Sequence, residues 1–243
     1  MELTFLGSGD AFGSGGRFQA CLHLRVGTRE FLVDCGASSL VAMKRFGVDP
    51  SRVDGVVLSH LHGDHFGGLP FLVLDGQFAR RAQRLLVAGP PGVEARVREA
   101  MEVLFPGSSR VARAFALEFV ELADRRDVAI GPLAVTAYAV VHPSGAPAFA
   151  LRLALGGKVI AYTGDTEWTD ALLEAGRGAD LLVAEAYFFE KRVRYHLDYR
   201  TLMEHRGRLE CRRLILTHMS QDMLGRLPLA DVEWAEDGLT VVL

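Results

Sequence analysis

Cysteine is sparse in this chain: Cys21, Cys35 and Cys211 are the only three in 243 residues, far apart and in no CxxC pair. An odd, scattered set cannot build a disulfide framework and points to a reducing compartment. Charge of one sign is also lacking. Lys plus Arg number 27 and Asp plus Glu number 30, a net −3, so no global basic field exists to draw in nucleic acid. No apolar run reaches the ~18 residues that a membrane span needs. The opening stretch, MELTFLGSGD, has no basic region followed by an apolar core, which excludes a signal-peptide pattern. Linkers, low-complexity tracts and short repeats are missing too. These absences leave a soluble cytoplasmic protein with no membrane partner, expected to form one α/β domain over residues 1–243.

The order of elements is legible from punctuation. "LTFLG" leads into a glycine-rich loop at 7–16, and "CLHLRV" and "EFLVDCG" flank Gly27-Thr28 as a hairpin. Residues 37–46 have helical spacing, and Gly47 and Pro50 end them. "RLLVAG" then "PGVEARVREAMEVLF", and later "ADLLVAEA" then residues 198–206, repeat a strand-then-helix rhythm. "AFALRLALGGKVIAYTGD" reads as a hairpin turning at Gly156-Gly157. Two β-rich halves with helices outside imply two sheets packed face to face and covered on both sides. The run "ARRAQR" at 79–84 reads as a solvated face, and Cys35 and Cys211 as small buried groups.

One stretch departs from ordinary globular composition. "VVLSHLHGDHFGGLP", 56–70, places His60, His62, Asp64 and His65 within six positions straight after an apolar strand. His60 and His62 are two apart, so an extended chain puts both rings on one side. Gly63 would let the backbone turn sharply and send Asp64 and His65 another way. Three further apolar strands each finish in a metal-competent residue: "AYAVVH" in His142, "VIAYTGD" in Asp165 and "LILTH" in His218. Ligand sites in α/β folds gather at the carboxyl ends of strands. A catalytic metal wants about three protein ligands and an open position. His142 can complete the first pair and His218 the second, while Asp165 has an oxygen for each of two ions. Two ions about 3.5–4 Å apart would polarise a substrate oxygen and hold a hydroxide between them.

H-x-H-x-D-H followed by G-G, with His, Asp and His at later strand ends, resembles the metallo-β-lactamase superfamily. The resemblance spans the chain, from "FLGSGDAFGSGG" through "FLVDCGA" to "LILTHMS". It implies a four-layer αββα sandwich with two metal ions in the cleft between the sheets. His60, His62 and His142 would hold one ion, Asp64, His65 and His218 the other, and Asp165 would bridge. "VAEAYF" and "LILTHMS" are similar to the ribonuclease Z group and its small phosphodiesterase relatives, in which a further histidine follows the acidic-Ala strand end. Glu185 and His196 occupy those places here, and together with Asp64 they form the expected catalytic set. Asp34 either orients a metal-bound histidine or serves as a turn carboxylate. His23 and His205 fall outside the constellation.

Ribonuclease Z enzymes carry a long arm that grips transfer RNA, inserted between the third-histidine strand and the bridging aspartate. His142 and Asp165 are 23 residues apart, and a hairpin uses most of that. The expected substrate is therefore a small molecule or short, unstructured phosphodiester rather than structured tRNA. The basic run "KRVRYHLDYR" is either a solvated helix start or a substrate-phosphate contact. The expected activity is a phosphodiesterase with two divalent ions, zinc first and manganese or iron as alternatives. Alternatives are thioester, lactone or amide hydrolysis, tRNA 3′ processing, and a non-catalytic metal-binding scaffold. A homodimer is compatible with all of them.

Overall fold

Short apolar runs broken by turns become most of the strands, two to eight residues long, in the computed structural model, which describes residues 1–243. In chain order the first half holds β1 (Glu2–Gly7), β2 (Cys21–Val26), β3 (Arg29–Val33), β4 (Gly55–Val57), β5 (Leu85–Gly89) and β6 (Leu117–Glu121). The second holds β7 (Asp127–Ile130), β8 (Leu133–Val140), β9 (Ala148–Leu155), β10 (Lys158–Tyr162), β11 (Leu181–Glu185), β12 (Leu214–Thr217), β13 (Glu233–Trp234) and β14 (Thr240–Val242). The helices are α1 (Ser39–Arg45), α2 (Gly63–Phe66), α3 (Leu69–Phe78), α4 (Val93–Leu104), α5 (Ala171–Gly176), α6 (Tyr199–Glu204) and α7 (Gln221–Leu224).

Two seven-stranded sheets result, ordered β14-β1-β2-β3-β4-β5-β6 and β13-β12-β11-β10-β9-β8-β7. The last strand, β14, crosses back to pair antiparallel with β1. β3 to β6 run parallel, as do β10 to β13, so their carboxyl ends emerge together at one edge. Between the sheets lies the largest apolar layer, with Phe5, Phe31 and Val57 of one sheet against Phe149, Ile160 and Val183 of the other. Burying each such large side chain is worth roughly 1.5–3 kcal/mol. A second layer joins the first sheet to α3 and α4, and a third joins the second sheet to α5 and α6. The architecture is the expected helix–sheet–sheet–helix sandwich. No helix is long and apolar enough to cross a membrane.

The β9–β10 hairpin turns at Gly156 and Gly157, whose φ of 59° and 76° are the paired left-handed values of a two-residue turn matched to strand twist. Elsewhere the fold departs from the sequence reading. Gly63 makes no sharp turn. It opens α2 directly after His62, which is still extended at φ −82°, ψ 151°, and a side chain on it would meet nothing within 4 Å. The change of direction comes from the helix start itself. Among the positions that do demand glycine is Gly36, whose Cβ would lie 2.2 Å from the Asp64 carbonyl. Arg81, expected in a solvated run, is 3% exposed; its guanidinium donates to the carbonyls of Pro50, Val53, Gln83 and Arg84. Those four acceptors replace water for a buried cation. Cys211 is half-buried, whereas Cys21 and Cys35 are buried. α3 carries no clear period, because LPFLVLDGQF is apolar nearly all round.

Candidate metal centre

All seven metal-competent residues singled out from the sequence meet at the shared carboxyl edge. The ligand-capable atoms of His60, His62 and His142 lie within 4.8 Å of one another, and so do those of Asp64, His65, Asp165 and His218. His60 and His62 follow β4, Asp64 and His65 sit in the first turn of α2, and His142, Asp165 and His218 follow β8, β10 and β12. The six-position cluster is thus split, as expected, into two pairs that belong to different groups.

Asp165 stands between them. Its Oδ1 lies 3.3 Å from His65 Nε2 and 3.5 Å from His218 Nε2. Its Oδ2 lies 3.9 Å from both His60 Nε2 and His142 Nε2. One carboxylate therefore faces each group with a different oxygen. Asp64 Oδ2 lies 3.3 Å from both His65 Nε2 and His218 Nε2.

The rings are oriented from behind. Asp34, fully buried, accepts from Ser59 N and Ser59 Oγ at 2.8 Å each and from His65 Nδ1 at 2.7 Å. Ser59 Oγ lies 3.0 Å from His60 Nδ1, so one carboxylate steadies an imidazole in each group. His142 Nδ1 donates to the Tyr195 carbonyl at 2.8 Å, which turns its Nε2 toward His62 Nδ1, 3.0 Å away. Asp34, Tyr195 and His218 hold left-handed φ of 58°, 73° and 55°. Tyr195 and His218 each carry roughly 1–3 kcal/mol of strain for this, which Asp largely escapes, and such residues gather at functional sites. Ser59 could have been singled out as the polar residue beside His60; the Tyr195 carbonyl has no sequence signal at all.

The two groups differ electrically. Burial, then neighbouring imidazoles, pull His60 and His62 below their ordinary value, so both are neutral donors. Burial acts the same way on His65 and His218, but Asp165 and Asp64 outweigh it and raise both well above theirs. In return those imidazoles hold Asp64 and Asp165 below the usual carboxylate range against the effect of burial. Protons thus occupy the anionic group where a cation would be welcome. His60 Nε2 and Asp165 Oδ1 are buried without a hydrogen-bond partner, which native proteins rarely tolerate. Three imidazoles facing one point, and a histidine–carboxylate group facing another, fit divalent metal ions.

Glu185 and His196 adjoin the second group. His196 Nδ1 donates to Glu185 Oε1 at 2.5 Å, and Glu185 Oε2 accepts from the Thr166 and Leu197 amides at 3.0 and 3.1 Å. Burial lowers the His196 value, but the Glu185 hydrogen bond and charge more than offset it, leaving the ring above its ordinary value. His196 also stacks on Tyr187 with centroids 4.7 Å apart. His23 lies elsewhere, paired with Glu30 at 3.1 Å, and His205 stacks on Trp168 at 3.9 Å.

A metal-competent cleft at the carboxyl edge of such a sandwich defines a class of hydrolases. The model of the Beta-lactamase superfamily domain matches residues 29–219, and the chain belongs to that family, as a hydrolase of the metallo-β-lactamase fold. Ribonuclease Z of Anoxybacillus flavithermus is 27% identical over 285 residues, covering 93% of this chain and 89% of the relative. A 93% share of 243 residues cannot fill 285 positions, so that relative carries segments with no counterpart here. Human tRNase Z, short form, superposes with a TM-score of 0.81 at 24% identity, over 100% of this chain and 99% of that one. A diphosphatase from the PhnP family superposes at 0.79 with 19% identity, over 100% and 97%. These two likenesses concern the fold.

Proposed function

We propose that this chain is a phosphodiesterase that uses two divalent cations, zinc first with manganese or iron as alternatives, on a small or unstructured phosphodiester. The observation that carries the reading is the His196–Glu185 pair beside the two ligand groups. His60, His62 and His142 would hold one cation and Asp64, His65 and His218 the other, with Asp165 shared. Bound cations would supply Lewis acidity toward a phosphoryl oxygen and lower the pKa of a water.

The chain's own part is positioning and proton delivery. Asp34 and the Tyr195 carbonyl fix ring orientation, so ligands need no rearrangement on binding. Glu185 keeps Nδ1 of His196 occupied and its ring protonated, with Nε2 free to donate. A departing alkoxide needs that proton as the P–O bond breaks, and a positioned imidazole is worth roughly 10²–10⁴-fold. Lys191 and Arg194, in the segment leading to His196, are exposed and pair with aromatic rings at 5.0 Å rather than with carboxylates; they are free for substrate phosphate. Arg192 is committed to Glu204 at 3.1 Å.

Structured tRNA is disfavoured because the chain between His142 and Asp165 is filled by the β9–β10 hairpin. The names of the relatives, ribonuclease Z and a diphosphatase, support phosphoester chemistry. Residues 1–243 act as one unit, because each group draws on both halves of the chain, and scattered free cysteines favour a cytoplasmic setting. The test is turnover of bis(p-nitrophenyl) phosphate against thioester and lactone panels by zinc-, manganese- and iron-loaded protein. Diester cleavage should dominate; thioester or lactone turnover without it would overturn the proposal.

A further inference from the structure

We infer that a cavity of about 270 Å³ beside His196 is the subsite for the leaving alcohol, and that it takes a ring-sized group bearing O–H or N–H donors. The inference rests on the proposed phosphodiesterase reading, in which His196 protonates the departing oxygen. His196 forms part of the cavity wall, and a group attached to that oxygen would lie next to the same ring. The volume is at the small end of ligand pockets, enough for one sugar or one base rather than a long chain.

The rest of the wall gives the chemistry. Trp168 and His205 stack at 3.9 Å and 10°, forming a flat surface against which a ring can lie. Glu167, two residues after Asp165, spends Oε1 on the Tyr195 amide at 2.9 Å. Its other oxygen accepts no hydrogen bond from the protein, and no Lys or Arg pairs with it, so it is an acceptor facing a half-buried cavity. The remaining charges are satisfied. Arg192 and Glu204 pair with each other at 3.1 Å, and both oxygens of Asp198 cap α6 through Thr201. A ring with donors satisfies the Glu167 oxygen and covers the stack. A plain alkyl alcohol does neither and leaves the carboxylate desolvated without a partner.

Trp168 is one of two tryptophans, the other being Trp234, so a Trp234→Phe protein reports from this cavity alone. The experiment titrates the metal-loaded Trp234→Phe protein with methyl glucoside, 9-methylguanine and n-butanol, following Trp168 emission. A saturable change with methyl glucoside or with 9-methylguanine is expected, whichever responds identifying sugar or base, and none with butanol. Glu167→Gln should weaken that binding about tenfold, because a hydrogen bond to a charged acceptor is lost. His205→Ala, which removes half of the stack and leaves Glu167 in place, should weaken it as well. No response to either ring, an equal response to butanol, or binding unaltered in both variants would overturn the subsite. The readout needs no turnover, so it is separable from the reading beneath it: diester cleavage with a silent Trp168 removes the subsite alone, and a responsive Trp168 without diester cleavage removes the phosphodiesterase and with it the leaving-alcohol assignment, leaving only a ring-binding cavity.

Discussion

Asp34→Ala removes the carboxylate that braces a ring of each histidine group from behind, His65 directly and His60 through Ser59. Three donors converge on it in a fully buried place: Ser59 N and Ser59 Oγ at 2.8 Å each and His65 Nδ1 at 2.7 Å. Each donor stranded there costs about 1–3 kcal/mol. The backbone adds to this, because φ at 34 is 58° and a left-handed alanine costs about 1–2 kcal/mol that Asp and Asn largely escape. Even the low ends of those ranges amount to about 4 kcal/mol, a large fraction of the 5–15 kcal/mol that holds a typical domain folded. Asp34→Asn should separate the two effects. It keeps the shape and tolerates the backbone, but an amide cannot satisfy Ser59 and His65 as a carboxylate does. The alanine protein should therefore unfold at clearly lower urea when stripped of metal. The asparagine protein should stay near the parent's midpoint while binding metal 10–100-fold more weakly. Chelator competition measures the second quantity. An alanine protein with the parent's urea midpoint and metal affinity would refute the reasoning. Asp165→Ala should abolish activity more completely than either, since that side chain presents an oxygen to each group; equal losses would count against this division of roles.

Elemental analysis of protein purified without chelators should give two divalent ions per chain, and one tight ion or none would contradict the paired groups. His196→Ala should keep its metals and still cleave p-nitrophenyl diesters, whose leaving group needs no proton, while losing roughly 10²–10⁴-fold on alkyl or nucleotide diesters; equal activity on both types removes His196 from the mechanism. Burial lowers the His23 value and Glu30 offsets this only in part, so the folded state favours neutral His23 and unfolding takes up a proton. Stability should fall as pH drops below about 6.5, the ordinary histidine value. His23→Gln should flatten that slope in urea midpoints between pH 7 and pH 5, and identical slopes in both proteins would show that His23 does not contribute.

The sequence alone marked the metal-competent residues that the fold gathers, because that information is local. Each of β4, β8, β10 and β12 is an apolar run ending in a polar residue, and a strand needs no distant partner to announce its end. The hairpin at Gly156-Gly157 and the sandwich class were legible for the same reason, through turn chemistry and alternation. Tertiary structure decided whatever depends on chain segments far apart. His142 finds His62 across 80 positions and His218 finds Asp64 across 154, and only the packing of two sheets sets those distances. Asp34 reads as a turn carboxylate or an orienting group until its partners are in place. Arg81 looks like a surface cation until four carbonyls surround it. Glu185 gains its role from two backbone amides, at 166 and 197, that no side-chain pattern encodes. A sequence displays side-chain chemistry along one dimension, whereas burial and orientation arise from contacts that close only when the chain is folded.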